Sequence, residues 1–137
     1  EDITAYSGLG CRSVSMIFAP EGYDIALPHT TATNAKLRRN IASMRALYTI
    51  QQRRFMDYGA FLMVEGKEFA TSLALVVVQR YSDIEDVRVW LSEHRDHIQC
   101  VVSHLDIEGC VAPGEAQHPT LWDYADGVDT MLFLKEE

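Results

Sequence analysis

The sequence is short of cysteine, of positive charge and of long apolar runs, and each scarcity removes a class of function. Its 3 cysteines are an odd number without the spacing of a disulfide framework, which indicates reduced thiols and a cytoplasmic setting. No Cys/His set has zinc-ligand spacing, so no metal site is expected. Lys and Arg number 12 against 20 Asp and Glu, a formal net charge of −8. A nucleic-acid backbone or an anionic membrane is therefore a poor partner. No apolar stretch approaches the roughly 20 residues needed to span a bilayer. Neither GxGxxG nor GxxxxGKS/T occurs, so a nucleotide, if one is used, must be bound mainly by another domain. A GxSxG nucleophile elbow is missing too. The chain opens abruptly with Glu1-Asp2-Ile3, with neither a signal peptide nor an initiator methionine.

What is present suits one globular domain spanning residues 1–137, with 47% apolar and 23% charged residues and length enough for a real core. Residues 14–19 form a short apolar run stopped by Pro20, and read as a strand. From Asn34, Leu37, Ile41, Met44 and Tyr48 recur at helical spacing, with Lys36, Arg38, Arg39 and Arg45 on a basic outer face. Residues 60–64 read as a second strand. Residues 73–78, LALVVV, read as a strand buried on both faces. Ser82-Asp83-Ile84-Glu85 has the capping-box pattern; the helix it starts turns Ile84, Val87 and Leu91 inward and ends near His94. A buried strand follows at 98–102, making 73–102 the best-formed βαβ unit. After a loop-rich stretch over 114–128, residues 130–134 alternate into a last short strand. This order predicts an α/β fold with a mixed, largely parallel sheet flanked by helices, a class in which ligands gather at the carboxyl ends of strands.

The most suggestive chemical group lies in SGLGCRSVSMIFAP. Gly8 and Gly10 free the backbone around Cys11 to bend and to let another molecule come close, and Arg12 sets a positive charge beside the thiol, an arrangement that favours nucleophilic cysteine. Cys100, inside IQCVV, reads as core, and Cys110 as packing. His94 and His97 fall at a helix end beside Arg95 and Asp96 and read as solvated. The block from Trp122 to Asp129 mixes aromatic and acidic residues. Trp122 is expected to be mostly buried, under the Cys11 loop or against the sheet edge. Asp126 is expected to accept backbone hydrogen bonds that set a turn at Gly127.

Three segments, GLGCRSVSMIFAPEGYD, IEDVRVWLSEHRDHIQCVVS and VAPGEAQHPTLWDYADGVDTMLFL, together resemble the C-terminal part of bacterial acyl-CoA reductases. These are aldehyde dehydrogenase superfamily relatives of the fatty acyl-CoA reductase of luminous bacteria. The resemblance covers residues 2 to about 134 and implies an aldehyde-dehydrogenase-like catalytic-domain segment. Cys11 falls where the superfamily holds its catalytic cysteine. The implied reaction is attack of that thiolate on an acyl-CoA, loss of coenzyme A, and hydride reduction of the resulting thioester to an aldehyde. The resemblance implies the backbone N–H of Cys11 as one oxyanion donor; the superfamily's asparagine donor would lie upstream of residue 1. The resemblance implies that Glu68, in KEFATS, stands for the glutamate that holds the ribose of NADPH or NADH, although the Gly-Pro that should follow is replaced by Thr71-Ser72.

The resemblance also places the cofactor-binding domain before Glu1, so this chain is expected to be a C-terminal segment, inactive alone. Its final strand is expected to support a homo-oligomer. The rival expectation is a non-enzymatic small α/β binding or regulatory domain that works through protein contacts. An accessible, nucleophilic Cys11 separates the two, since a contact module has no use for one.

Overall fold

A computed structural model describes residues 2–124 and 127–135. In chain order these form β1 (Met16–Pro20), α1 (Ala35–Ile50), β2 (Met56–Asp57), β3 (Leu62–Glu65), β4 (Leu75–Tyr81), α2 (Ile84–Glu93), β5 (Val101–Val102), β6 (Cys110–Val111) and a short α3 (Thr130–Phe133). The main sheet has the order β1-β4-β3-β2. β1 and β3 run parallel to β4, and β2 is antiparallel to β3. The result is a mixed α/β unit with a mostly parallel sheet flanked by helices.

Local chemistry accounts for most of these elements. Leu75, Val76, Val77 and Val78 are all buried; a β-branched run shut from water on both faces must pair its backbone on both edges, as β4 does. Asn34 caps α1, its side chain accepting from the Lys36 and Leu37 amides at 2.8 and 3.2 Å. Leu37, Ile41, Met44 and Tyr48 are the buried stripe of that helix, as their spacing predicts. α2 buries Val87, half-buries Ile84 and Leu91, and meets β1 through an edge-to-face contact of Phe18 with Trp90 at 4.9 Å. No helix among the described residues is long and apolar enough to cross a membrane.

Several expectations are corrected. The cap of α2 is Asp83, whose carboxylate accepts from the Glu85 amide at 3.0 Å, not Ser82. The strand expected at 98–102 shrinks to two half-buried residues, and β5 pairs with β6 in a separate two-stranded sheet. With β1 on one edge of β4 and β3 on the other, β5 has no place beside β4, so the βαβ unit does not close. Residues 130–133, expected to be strand, are helical because Asp129 accepts from both the Met131 and Leu132 amides at 3.0 Å. The strand on which an oligomer was expected to depend is therefore not formed. Trp122 is 80% exposed, not buried: its loop is held by Asp123, which accepts from the Thr120 amide and hydroxyl, and the ring is not needed as an anchor. Asp126 lies outside the described residues; Gly127 does take a left-handed φ of 69°.

One glycine fixes the long loop that precedes α1. Gly59 has φ 80°, and a Cβ there would run into the Thr30 carbonyl oxygen and the His29 ring. The same place is tied by Thr30 N–H donating to Tyr58 O at 2.8 Å and by the Tyr58 hydroxyl donating to Ile25 O at 3.0 Å. Gly59→Ala is expected to cost more than about 1 kcal/mol in a denaturant melt, whereas Trp122→Ala stays within about 0.5 kcal/mol of the parent. The reverse ranking would mean that the tail ring, not the Gly59 turn, is structural.

Candidate functional site at the Cys11 turn

Cys11 occupies the second position of a four-residue turn, residues 10–13, closed by the Ser13 amide donating to Gly10 O at 2.9 Å. The thiol is exposed. Both ends of the chain fasten the turn. The Val14 amide donates to Asp2 O at 3.0 Å, and Asp2 Oδ2 accepts from the Gly114 amide at 2.7 Å. The Arg12 guanidinium, its side chain only 10% exposed, stands 3.4 Å from Asp123. Arg12 thus shares its charge with a carboxylate rather than serving the thiol alone. Gly10 is needed for close approach, but by the chain itself: a Cβ there would lie 2.9 Å from Gln117 Oε1 and 3.2 Å from Ser13 Oγ.

Two hollows meet at this turn, and Cys11 and Ser13 line both. The first, of about 440 Å³, is lined in part by the hydroxyl-bearing residues Thr4, Ser7, Ser13, Ser15, Thr71 and Ser72, although the Ser13 oxygen itself is shut from solvent. The second is a cleft of about 410 Å³ walled by Phe18, Trp90, Leu91, Ile98, Val102 and Leu105. It lies along β1 on the side facing β5. The polar hollow is at the amino ends of β1 and β4, opposite to the carboxyl-end position expected for this sheet class. The reason is that the loops entering two parallel neighbours are necessarily side by side.

The remaining candidate residues divide. Cys100 is half-buried in the cleft wall rather than in the core; burial pushes its thiol up, the charges of Asp123 and Asp2 and the Cys110 thiol add to this, and Arg12 opposes it. Cys110 is half-buried, its sulfur 3.6 Å from Leu105 O. His97 is exposed, as expected, but His94 is not simply solvated. Its ring stacks on Trp90 at 4.1 Å, and Nδ1–H donates to Trp90 O at 2.8 Å. The carboxyl of Asp123 is held low by the Thr120 hydroxyl and amide, with Arg12 contributing less. Glu68 is exposed in the segment between β3 and β4 and lines neither hollow, although Phe69 lines the cleft and Ala70 the polar hollow. The structure does not bring Glu68 to Cys11. Among the described residues, no group of His, Cys, Asp or Glu is arranged to hold a metal ion.

Sequence reasoning missed Ser13, Gln117 and Asp2, because their roles arise from contacts between the two ends of the chain. It also missed the cleft, which exists because β5 stands apart from the main sheet. No family model, curated protein or solved structure matches the chain.

Two outcomes follow from this geometry. Iodoacetamide is expected to alkylate Cys11 ahead of Cys100, since the first is exposed and the second is half-buried with a raised pKa; peptide mapping after brief labelling reads the order, and Cys100 labelling first would remove the exposed-turn nucleophile. The second concerns acid. Asp123 has a lowered folded-state pKa, so its contribution is complete above its unfolded value of about 3.9 and is lost as pH falls through the lowered one. Trp122 fluorescence should change over that acid range in the parent and not in Asp123→Asn; identical profiles would mean that Asp123 does not hold the tail.

Proposed function

We propose that this chain is the C-terminal catalytic segment of a cytoplasmic, NAD(P)H-dependent acyl-CoA reductase, an aldehyde-dehydrogenase-like unit in which Cys11 is the nucleophile. One observation carries the reading: an exposed thiol stands where an apolar cleft meets a hydroxyl-edged hollow. An acyl thioester has that same division, an apolar chain on one side of its carbonyl and a polar carrier on the other. The acyl chain lies in the cleft and the carrier arm along the hydroxyls of Thr71 and Ser72. The Cys11 thiolate adds to the carbonyl carbon, and the π pair moves onto oxygen. When the pair returns, the bond to the coenzyme A sulfur breaks, and that thiolate leaves with its electron pair. The Cys11 amide donates to no other group among the described residues, so it is available to the oxyanion.

The nicotinamide cofactor, when bound, supplies the hydride that turns the thioester into aldehyde. This chain holds little of it, having no glycine-rich phosphate cradle. Glu68 is the residue we assign to its ribose: the carboxylate is exposed and makes no hydrogen bond or ion pair among the described residues, which leaves its oxygens free to accept from hydroxyls.

A second reading has one observation in its favour. Leu121, Trp122, Met131, Leu132, Phe133 and Leu134 are all exposed, an apolar concentration of the kind that marks a contact surface. It suits a small α/β binding domain that works through protein contacts.

Cys11→Ser in the complete enzyme separates the two. It is expected to abolish aldehyde formation while acyl-CoA binding persists, because a serine alkoxide is far harder to form near neutral pH and its ester accepts hydride less readily. Turnover retained in Cys11→Ser would sink the reductase reading.

A further inference from the structure

Charge is divided unevenly between two exposed parts of the molecule. From Ile25 to Met56 the chain has no Asp or Glu and holds 6 of its 12 cations, so the remaining residues set the other 6 against all 20 acids. Lys36, Arg38, Arg39, Arg45, Arg53 and Arg54 are all exposed, on α1 and the turn after it. Among the described residues only Arg45 of these six has a carboxylate partner, Asp57 at 2.6 Å. Arg38 donates to the Ala32 and Thr33 carbonyls, and Arg53 lies over the Tyr48 ring. The side chains of Lys36, Arg39 and Arg54 make no hydrogen bond or ion pair among the described residues. The same face is also apolar. Ala35, Ala42, Ala46 and Ile50 stand opposite the buried stripe of α1, with Ile50 80% exposed, where a solvated helix ordinarily places charge.

The tail has the opposite charge and the same apolar character. From Leu121 to Glu137, 5 acids stand against the single cation Lys135, and Leu121, Trp122 and every residue from Met131 to Leu134 are exposed. Both surfaces are open in one chain, so neither covers the other within it. We propose that a second copy of this chain covers them: the face of α1 receives the acidic, apolar tail of a neighbouring copy, and the reciprocal contact closes a two-fold dimer. Complementary charge steers the two surfaces together and fixes their register, and the small side chains along α1 let the tail come close. A nucleic acid or an anionic bilayer would meet the same cations, but the acidic remainder of the molecule repels it. The apolar cleft is a poorer seat for the tail, because the one Arg or Lys in its wall, Arg12, is already paired with Asp123. The contact needs no strand in the tail. It goes beyond the acyl-transfer reading and does not depend on it, since neither surface includes Cys11.

The test is the mass of the whole chain in solution, read by light scattering over a concentration series. A dimer is expected at about 10 mM salt, where the screening length is about 30 Å, and a monomer at about 1 M, where it is about 3 Å. Two double variants reverse the charge of one surface each: Arg39→Glu with Arg54→Glu on the helix side, and Glu136→Lys with Glu137→Lys on the tail. Each alone should stay monomeric at low salt, because both contacts of its own dimer then set like charges together. Mixed in equal amounts they should recover the dimer, since reversed helix meets reversed tail at one contact and the parent surfaces meet at the other. Arg39 and Arg54 are exposed and have no partner to lose, so the helix variant should keep the parent's thermal midpoint. If it does not, Ile50→Ser leaves every charge in place and should weaken association about tenfold through lost apolar burial. A parent that is monomeric at both salts overturns the docking. So does a dimer indifferent to both reversals, which would place association on another surface, and so does a mixture that stays monomeric, which would show that the two surfaces are not partners. None of these results touches the acyl-transfer reading, which Cys11→Ser decides.

Discussion

A strand made of Leu75, Val76, Val77 and Val78 has no access to water on either face, so its backbone must find protein partners on both edges. β1 and β3 supply them, and both run parallel to β4. Parallel pairing brings the segments that enter neighbouring strands to one end of the sheet. Val77 pairs with Met16 on one side and Val64 on the other, so the segment before β1, with Cys11, comes to lie beside the segment before β4, with Thr71 and Ser72. The polar hollow is thus a by-product of how the central strand satisfies its hydrogen bonds. Ala74, at the entry to β4, even adopts a left-handed φ of 61°, a local cost of about 1–2 kcal/mol that the surrounding pairing holds in place.

The apolar cleft has the same origin. Ser15 O accepts from the Val77 amide, and the Glu21 amide donates to Tyr81 O, so alternate residues of β1 face β4. Met16 and Phe18 turn their backbone groups the other way, toward the cleft, and Pro20 ends the strand without an amide to leave unpaired, as suits an edge. β5, excluded from β4, stands beyond this edge with β6. Two thiols then share one cleft under different conditions. Cys11 sits at the tip of a turn in contact with solvent, and Cys100 lies in the wall, where burial disfavours its charged form. The two identical groups thus differ in how far each is withdrawn from water.

How much of this was legible in the sequence follows from the range of the interactions involved. α1 was legible because Asn34, Leu37, Ile41, Met44 and Tyr48 act within one helix, and β4 because its run admits few alternatives. The exposed thiol behind the Gly8 and Gly10 pair was legible for the same local reason. The pairing of β5 was not, since it depends on which edges are already taken. At Thr130 a five-residue alternation was outweighed by one carboxylate at Asp129, and at Ser82 the neighbouring Asp83 made the better cap. Trp122 was misread because an aromatic ring in an acidic loop suggests an anchor, whereas Thr120, Asp123 and Arg12 already provide it. The approach of Gln117 to Gly10 carries no sequence signal at all, since it joins segments more than a hundred residues apart.

The bond from the Gly114 amide to Asp2 joins residues 112 positions apart, and the Arg12 to Asp123 contact spans a comparable stretch. Closing loops of that length is entropically costly and rewards the chain only after the intervening segments are compact. During synthesis, Cys11 emerges early, while Gly114 and Asp123 emerge after the sheet strands have already been made. For most of that interval the turn has its own short-range bond but neither of its clasps. The turn that carries the exposed thiol is therefore clasped late, after the strands of the sheet have been made, so its surroundings are completed only when both ends of the chain are present.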